Sequence, residues 1–181
     1  MFKISILDKF KRKRKVTAEE LGERCYEMAR RSAEELINGN PLELVNIETK
    51  KSHYINKLTT IFMFTVIQVA PTELESTSVF DRMHQTYLCL KYEGLNDEEF
   101  NKIAELEVEL IFSSYKTYFD IIDVAKEDNG NYIQYLIRCF MKELLGESGS
   151  EYSAAGMELT SYLISTMKQY SDILNGFQLK E

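Results

Sequence analysis

Proline and glycine are scarce: 2 Pro and 8 Gly punctuate 181 residues. A β-sandwich or barrel needs a turn signal every ~8–12 residues, so this scarcity argues against antiparallel β architectures and favours long helices with few loops. Tryptophan is absent, and the 3 cysteines, Cys25, Cys89 and Cys139, are far apart and without CxxC spacing. Neither a disulfide framework nor a zinc site follows from them, and the thiols are expected to be reduced. Histidine is equally sparse, with only His53 and His84 available for acid–base or metal chemistry. No apolar run approaches the ~20 residues of a spanning helix. The longest, Ile61 to Ala70, is interrupted by Thr65 and Gln68 and reads as a helix segment buried on all sides.

What is present is an ordinary globular composition, 44% hydrophobic and 28% charged, in a length suited to one domain. Its charge is unevenly placed. The chain carries −7 overall, but residues 1–15, MFKISILDKFKRKRK, hold seven of the 22 basic residues and one acid, a local +6. The remaining residues therefore have 15 bases against 28 acids, or −13. A basic leader joined to an acidic body reads as a segment that seeks an anionic surface. FKISIL precedes KFKRKRK, the reverse of a secretion signal, so the expected location is cytoplasmic, peripheral to a membrane if the leader attaches there.

Start and stop signals divide the body into helices. Thr17 and Glu20 have capping-box spacing, and a first helix with Leu21, Cys25, Met28, Ala29, Leu36 and Ile37 runs to Asn38-Gly39. Asn40-Pro41 opens a second helix that reaches about Ala70, where Pro71 breaks it. Thr72 with Glu75 predicts the cap of a third, carrying Val79, Phe80, Met83, Tyr87 and Leu90 and stopping at Gly94. Asn96 with Glu99 opens a fourth that lasts until Asp128-Asn129-Gly130. Its charged residues trace a narrow stripe and its other sides are apolar, so several neighbours are expected around it. Leu110, at its middle, is expected in the core, where truncation to Ala would cost about 2–5 kcal/mol. A fifth helix near Tyr132 to Leu145 and a sixth near Ala154 to Leu174, the latter with Ile173 at core spacing, complete the body. Short links favour a bundle of about six antiparallel helices; no repeat period supports a solenoid.

Candidate chemistry is thin. Glu20-Leu-Gly-Glu23 and Asp120-Ile-Ile-Asp123 each set two carboxylates three apart on one helix face, the spacing at which two helices surround a divalent cation. Both also suit solvated helix faces. Neither histidine follows a glutamate at Glu-x-x-His spacing, no GxxxxGK(S/T) or GxGxxG occurs, and no cofactor is expected. Tyr115, Tyr118 and Phe119, with Tyr132 and Tyr135, fall near the fourth-to-fifth helix junction, either as core-edge rings with hydroxyls in water or as a pocket lining.

The strongest local signal is Lys9 to Lys15, where only Phe10 is uncharged. Lys9, Lys11, Arg12, Lys13, Arg14 and Lys15 suit an anionic surface, and Phe2, Ile6, Leu7 and Phe10 would add apolar contact if that surface is a membrane. Nucleic acid would engage the same cations, and a solvated leader resting on the acidic body is the third reading. The sequence thus describes an all-α bundle of residues 16–181 with a flexible basic leader of residues 1–15. The function that fits is a non-catalytic adaptor or regulator meeting a protein partner or a second copy. The alternative is a helical-bundle enzyme or small-ligand binder using Glu20, Glu23, Asp120 and Asp123.

Overall fold

The computed structural model describes residues 13–39, 47–74, 77–127, 131–145 and 154–180, which form an all-α bundle of six helices with two three-residue strands. α1 (Ala18–Asn38) opens on a complete capping box: Thr17 Oγ1 accepts from the Glu20 amide at 3.1 Å, and Glu20 Oε2 accepts from the Thr17 amide at 3.0 Å. It ends where the Gly39 amide donates to the Glu35 carbonyl. α2 (Ile47–Val69) is buried around its circumference from Ile61 to Val66. Thr59 and Thr65 fit that apolar helix because their hydroxyls donate to the carbonyls of Ile55 and Ile61, four residues back.

Thr72 does not cap the third helix. Residues Thr72–Leu74 form a 3-10 turn, and α3 (Thr77–Lys91) begins five residues later; the expected partner Glu75 lies outside the described residues. Beyond α3 the chain turns at Gly94, whose φ of +97° is the left-handed conformation that glycine adopts without a Cβ penalty. Asn96 and Glu99 then form the second capping box, opening α4 (Asp97–Glu127). Asn131 Oδ1 accepts from the Ile133 amide at the start of α5 (Tyr132–Leu145), and α6 (Ala154–Leu174) follows. The expected starts and stops at Asn40-Pro41, Asp128–Gly130 and Gly146 lie outside the described residues.

Packing is uneven. α1 lies against α2 and α3, α6 against α2 and α5, and α4 chiefly against α5. α1 and α3 meet closely at Gly22, where an added Cβ would fall 2.6 Å from both Arg82 Cβ and the Val79 carbonyl. Tyr170 pins α6 to α1 by donating to Ser32 Oγ at 2.7 Å and lying 3.0 Å from the Met28 carbonyl. Strand β1 (Arg14–Val16) pairs in parallel with β2 (Phe177–Leu179), Arg14 opposite Phe177 and Val16 opposite Leu179, tying the two ends of the described chain together. Three-residue strands are too short to show a period, so nothing in the sequence announces them.

α4 departs most from expectation. Its buried face is Ile111, Tyr115, Tyr118, Ile122 and Ala125, whereas Leu106, Leu110, Phe112, Phe119 and Val124 are exposed. Leu110 is therefore not a core residue, and among the described residues neighbours do not surround the helix. Apolar residues occupy two of its faces, and tertiary packing covers one. Leu90 on α3 and Ile173 on α6, at core spacing in the sequence, are likewise exposed.

Candidate functional site: an apolar groove between α3 and α4

The uncovered aromatic face of α4 forms one wall of a groove of about 540 Å3. α3 contributes Thr77, Phe80, Asp81 and His84, which recur three and four residues apart and share a face. α4 contributes Phe112, Tyr115, Lys116 and Phe119, and Ile67 near the end of α2 also lines it. Phe112 and Phe119 stand 51% and 42% exposed, an arrangement that leaves two phenyl rings in water. Phe119 packs edge-on against the buried Phe64, with centroids 5.2 Å apart. Phe112 lies 5.6 Å from the His84 ring and 6.2 Å from Tyr115.

His84 and Tyr115 form the polar floor. His84 Nδ1 lies 2.6 Å from the Phe80 carbonyl, which can only accept, so this nitrogen carries the proton and donates. In the neutral ring Nε2 is then an acceptor, 3.2 Å from the Tyr115 hydroxyl, and that hydroxyl also lies 3.3 Å from the Thr60 carbonyl. Burial lowers the His84 pKa below its ordinary value, against the opposing pull of the Phe80 carbonyl and the Asp81 charge. Burial likewise raises the Tyr115 phenol well above its ordinary value. Both ring nitrogens of His84 thus have partners within the fold, and the floor is a neutral pair under an apolar opening.

Glu107 and Tyr118, also on α4, are engaged within the fold. Glu107 accepts from Tyr92 at 2.8 Å and Tyr87 at 3.2 Å and pairs with Lys91, joining α4 to α3; burial raises its pKa, but these donors outweigh burial and hold it below the ordinary value. Tyr118 donates to Glu143 at 2.6 Å, and burial raises its pKa. Tyr115 and Tyr118 therefore keep their hydroxyls inside the fold rather than in water. Tyr135 is exposed, with the Arg138 guanidinium 5.6 Å from its ring. Burial pushes the Cys25 thiol up to about 12 and the Cys139 thiol to about 11, far from thiolate reactivity at neutral pH.

The carboxylates singled out for a metal have other roles. Glu20 completes the α1 capping box with Lys180 3.6 Å away, Glu23 pairs with Arg82, and Asp123 lies 3.4 Å from Lys126. Asp120 is exposed on α4. Among the described residues, no group of three His, Cys, Asp or Glu side chains is placed to hold a metal ion. A second, polar cavity of about 290 Å3 lies among Tyr26, Arg30, Asn56, Tyr87 and Lys91, where Arg30 and Lys91 already pair with Glu34 and Glu107.

The basic leader is divided. Lys9, Lys11 and Arg12, with Phe2, Ile6, Leu7 and Phe10, lie outside the described residues. Lys13 donates to Glu73 Oε2 at 2.8 Å, while Arg14 and Lys15 are exposed residues of β1. The last cations of the run thus belong to the folded body. No helix among the described residues is long and apolar enough to cross a membrane.

Sequence reasoning places Tyr115 and Phe119 in a possible pocket but pairs them with the fifth helix rather than the third. It omits Phe112 as a site residue, although Phe112 and Phe119, seven apart, share a helix face. Comparison with protein-family models, curated proteins and solved structures gives no match for this chain.

Proposed function

We propose that the chain is a non-catalytic helical interaction protein, an adaptor or regulator held at an anionic membrane surface by its basic N-terminal segment. The groove is the observation that carries the non-catalytic reading. It presents two half-exposed phenyl rings above a buried His–Tyr pair in which Nδ1 of His84 donates to the Phe80 carbonyl and Nε2 lies beside the Tyr115 hydroxyl, and so suits apolar contact rather than proton transfer. Docking is supported by the charge partition, +6 in residues 1–15 against −13 in the rest. Lys9, Lys11 and Arg12 make the electrostatic contact and Phe2, Ile6, Leu7 and Phe10 the apolar one. Because the body is acidic, it stands off the surface that the leader seeks.

Co-sedimentation with phosphatidylserine-containing vesicles tests this reading. Binding should weaken steeply as salt rises, and Lys9, Lys11 and Arg12 changed together to Gln should lower affinity on the order of 100-fold, at ~1 kcal/mol per cation. Salt-insensitive binding, or none at low ionic strength, would remove the docking claim. The groove's volume also favours a second reading, a small apolar ligand, since drug-sized molecules occupy sites of ~300–1,000 Å3. A thermal-shift screen of small apolar compounds, divalent metals and nucleotides separates the two, because a saturable rise in Tm with one of these supports ligand binding or metal-dependent chemistry.

A further inference from the structure

We infer that the groove between α3 and α4 is the intramolecular seat of residues 1–12, so that the same apolar side chains serve either the groove or a membrane, never both. This rests on the proposed membrane docking of that segment. The starting point is where the segment leaves the body. Lys13 is held by Glu73 in the 3-10 turn, and Thr77, the first groove residue of α3, follows Glu73 by four positions. At ~3.8 Å between consecutive Cα atoms, Glu73 and Thr77 are no more than about 15 Å apart. Residues 1–12 span up to ~40 Å extended and ~18 Å as a helix, enough to reach the groove in either form.

Chemistry matches as well as reach. Phe2, Ile6 and Phe10 recur every four residues with Leu7 beside them, the pattern by which an amphipathic segment anchors in an apolar groove. Phe112 and Phe119 are the exposed apolar surfaces to receive them. Lys3, Lys9, Lys11 and Arg12 give residues 1–12 a charge of +3 after Asp8 is counted, facing the Asp81 carboxylate at the groove and a remainder, residues 13–181, of net −10. Among the described residues Lys116 is the one cation lining the groove, and it favours a seat in which the segment's basic side chains turn towards α3. Tethering keeps the local concentration of the segment high, so modest contact suffices in the absence of a membrane.

The absence of tryptophan makes the test clean. Phe112→Trp in the full-length chain places a single indole in the groove, and Phe119→Trp is a second reporter should the first disturb packing. Changing Phe2, Ile6, Leu7 and Phe10 to Ser in the same chain should shift the emission to longer wavelength and increase acrylamide quenching, with an unchanged circular dichroism spectrum. The difference should persist on dilution. Identical emission and quenching with and without the four serines would overturn the seat, and a difference that vanishes on dilution with loss of a dimer would assign the groove to a second copy's segment instead. Vesicle co-sedimentation of the same proteins keeps the two claims apart. Vesicle binding without an emission difference leaves docking standing and removes the seat; an emission difference without vesicle binding does the reverse.

Discussion

Leu110 and Ile111 are adjacent on α4, yet one is 65% exposed and the other 3%. Ile111→Ala should cost about 2–5 kcal/mol in urea denaturation, whereas Leu110→Ala should stay within about 0.5 kcal/mol. Comparable losses at both positions would mean that α4 is covered on its outer face. His84 carries the pH dependence of the groove. With its folded pKa held below the ordinary value of 6.5, the unfolded chain takes up the proton first as pH falls. Stability from the neutral ring is full above that ordinary value and is lost as pH descends towards the lowered one. His84→Gln should therefore flatten the fall in Tm below about pH 6.5. Asp81 on α3 and Lys116 on α4 remain in both proteins, so the difference between the two Tm profiles isolates the imidazole.

Helix boundaries were the most legible elements because their signals are local. Thr17–Glu20 and Asn96–Glu99 are reciprocal hydrogen bonds written in four-residue spacings, and both form. Thr72–Glu75 has the same spacing and does not cap α3, since the chain after Pro71 first makes a 3-10 turn. Which face of a helix is covered is a different kind of question. α4 offers apolar residues on two sides, and only where its neighbours pack decides that Ile111 is buried and Leu110 is not. The α1–α3 crossing is set by Gly22. Alanine there would gain about 1 kcal/mol in helix propensity, but its Cβ would meet Arg82 Cβ and the Val79 carbonyl at 2.6 Å. Gly22→Ala should therefore destabilise the bundle by about 1–3 kcal/mol in denaturant titration; a stabilised protein would mean that α1 and α3 separate at little cost.

For the whole molecule, the sequence made the fold class and the charge partition readable, because helix period, breaker scarcity and a run of cations are all local in the chain. The groove was not readable. Its aromatic residues come from positions 80, 112, 115 and 119, and periodicity assigns any apolar residue at helical spacing to a core without knowing whether a neighbour arrives to cover it. The parallel pairing of β1 with β2 likewise joins residues far apart in sequence, and it draws Arg14 and Lys15 out of the leader and into the body. What remains, residues 1–12, carries both the apolar and the cationic side chains proposed to meet a membrane. Full-length protein and its Phe2, Ile6, Leu7 and Phe10 to Ser variant, titrated at low salt against phosphatidylserine-containing vesicles and against duplex DNA, test that proposal most directly. Vesicle affinity should fall sharply in the variant while any DNA binding stays nearly unchanged, because only acyl chains receive the apolar side chains. Equal vesicle affinity for both proteins, or no vesicle binding by either, would contradict it.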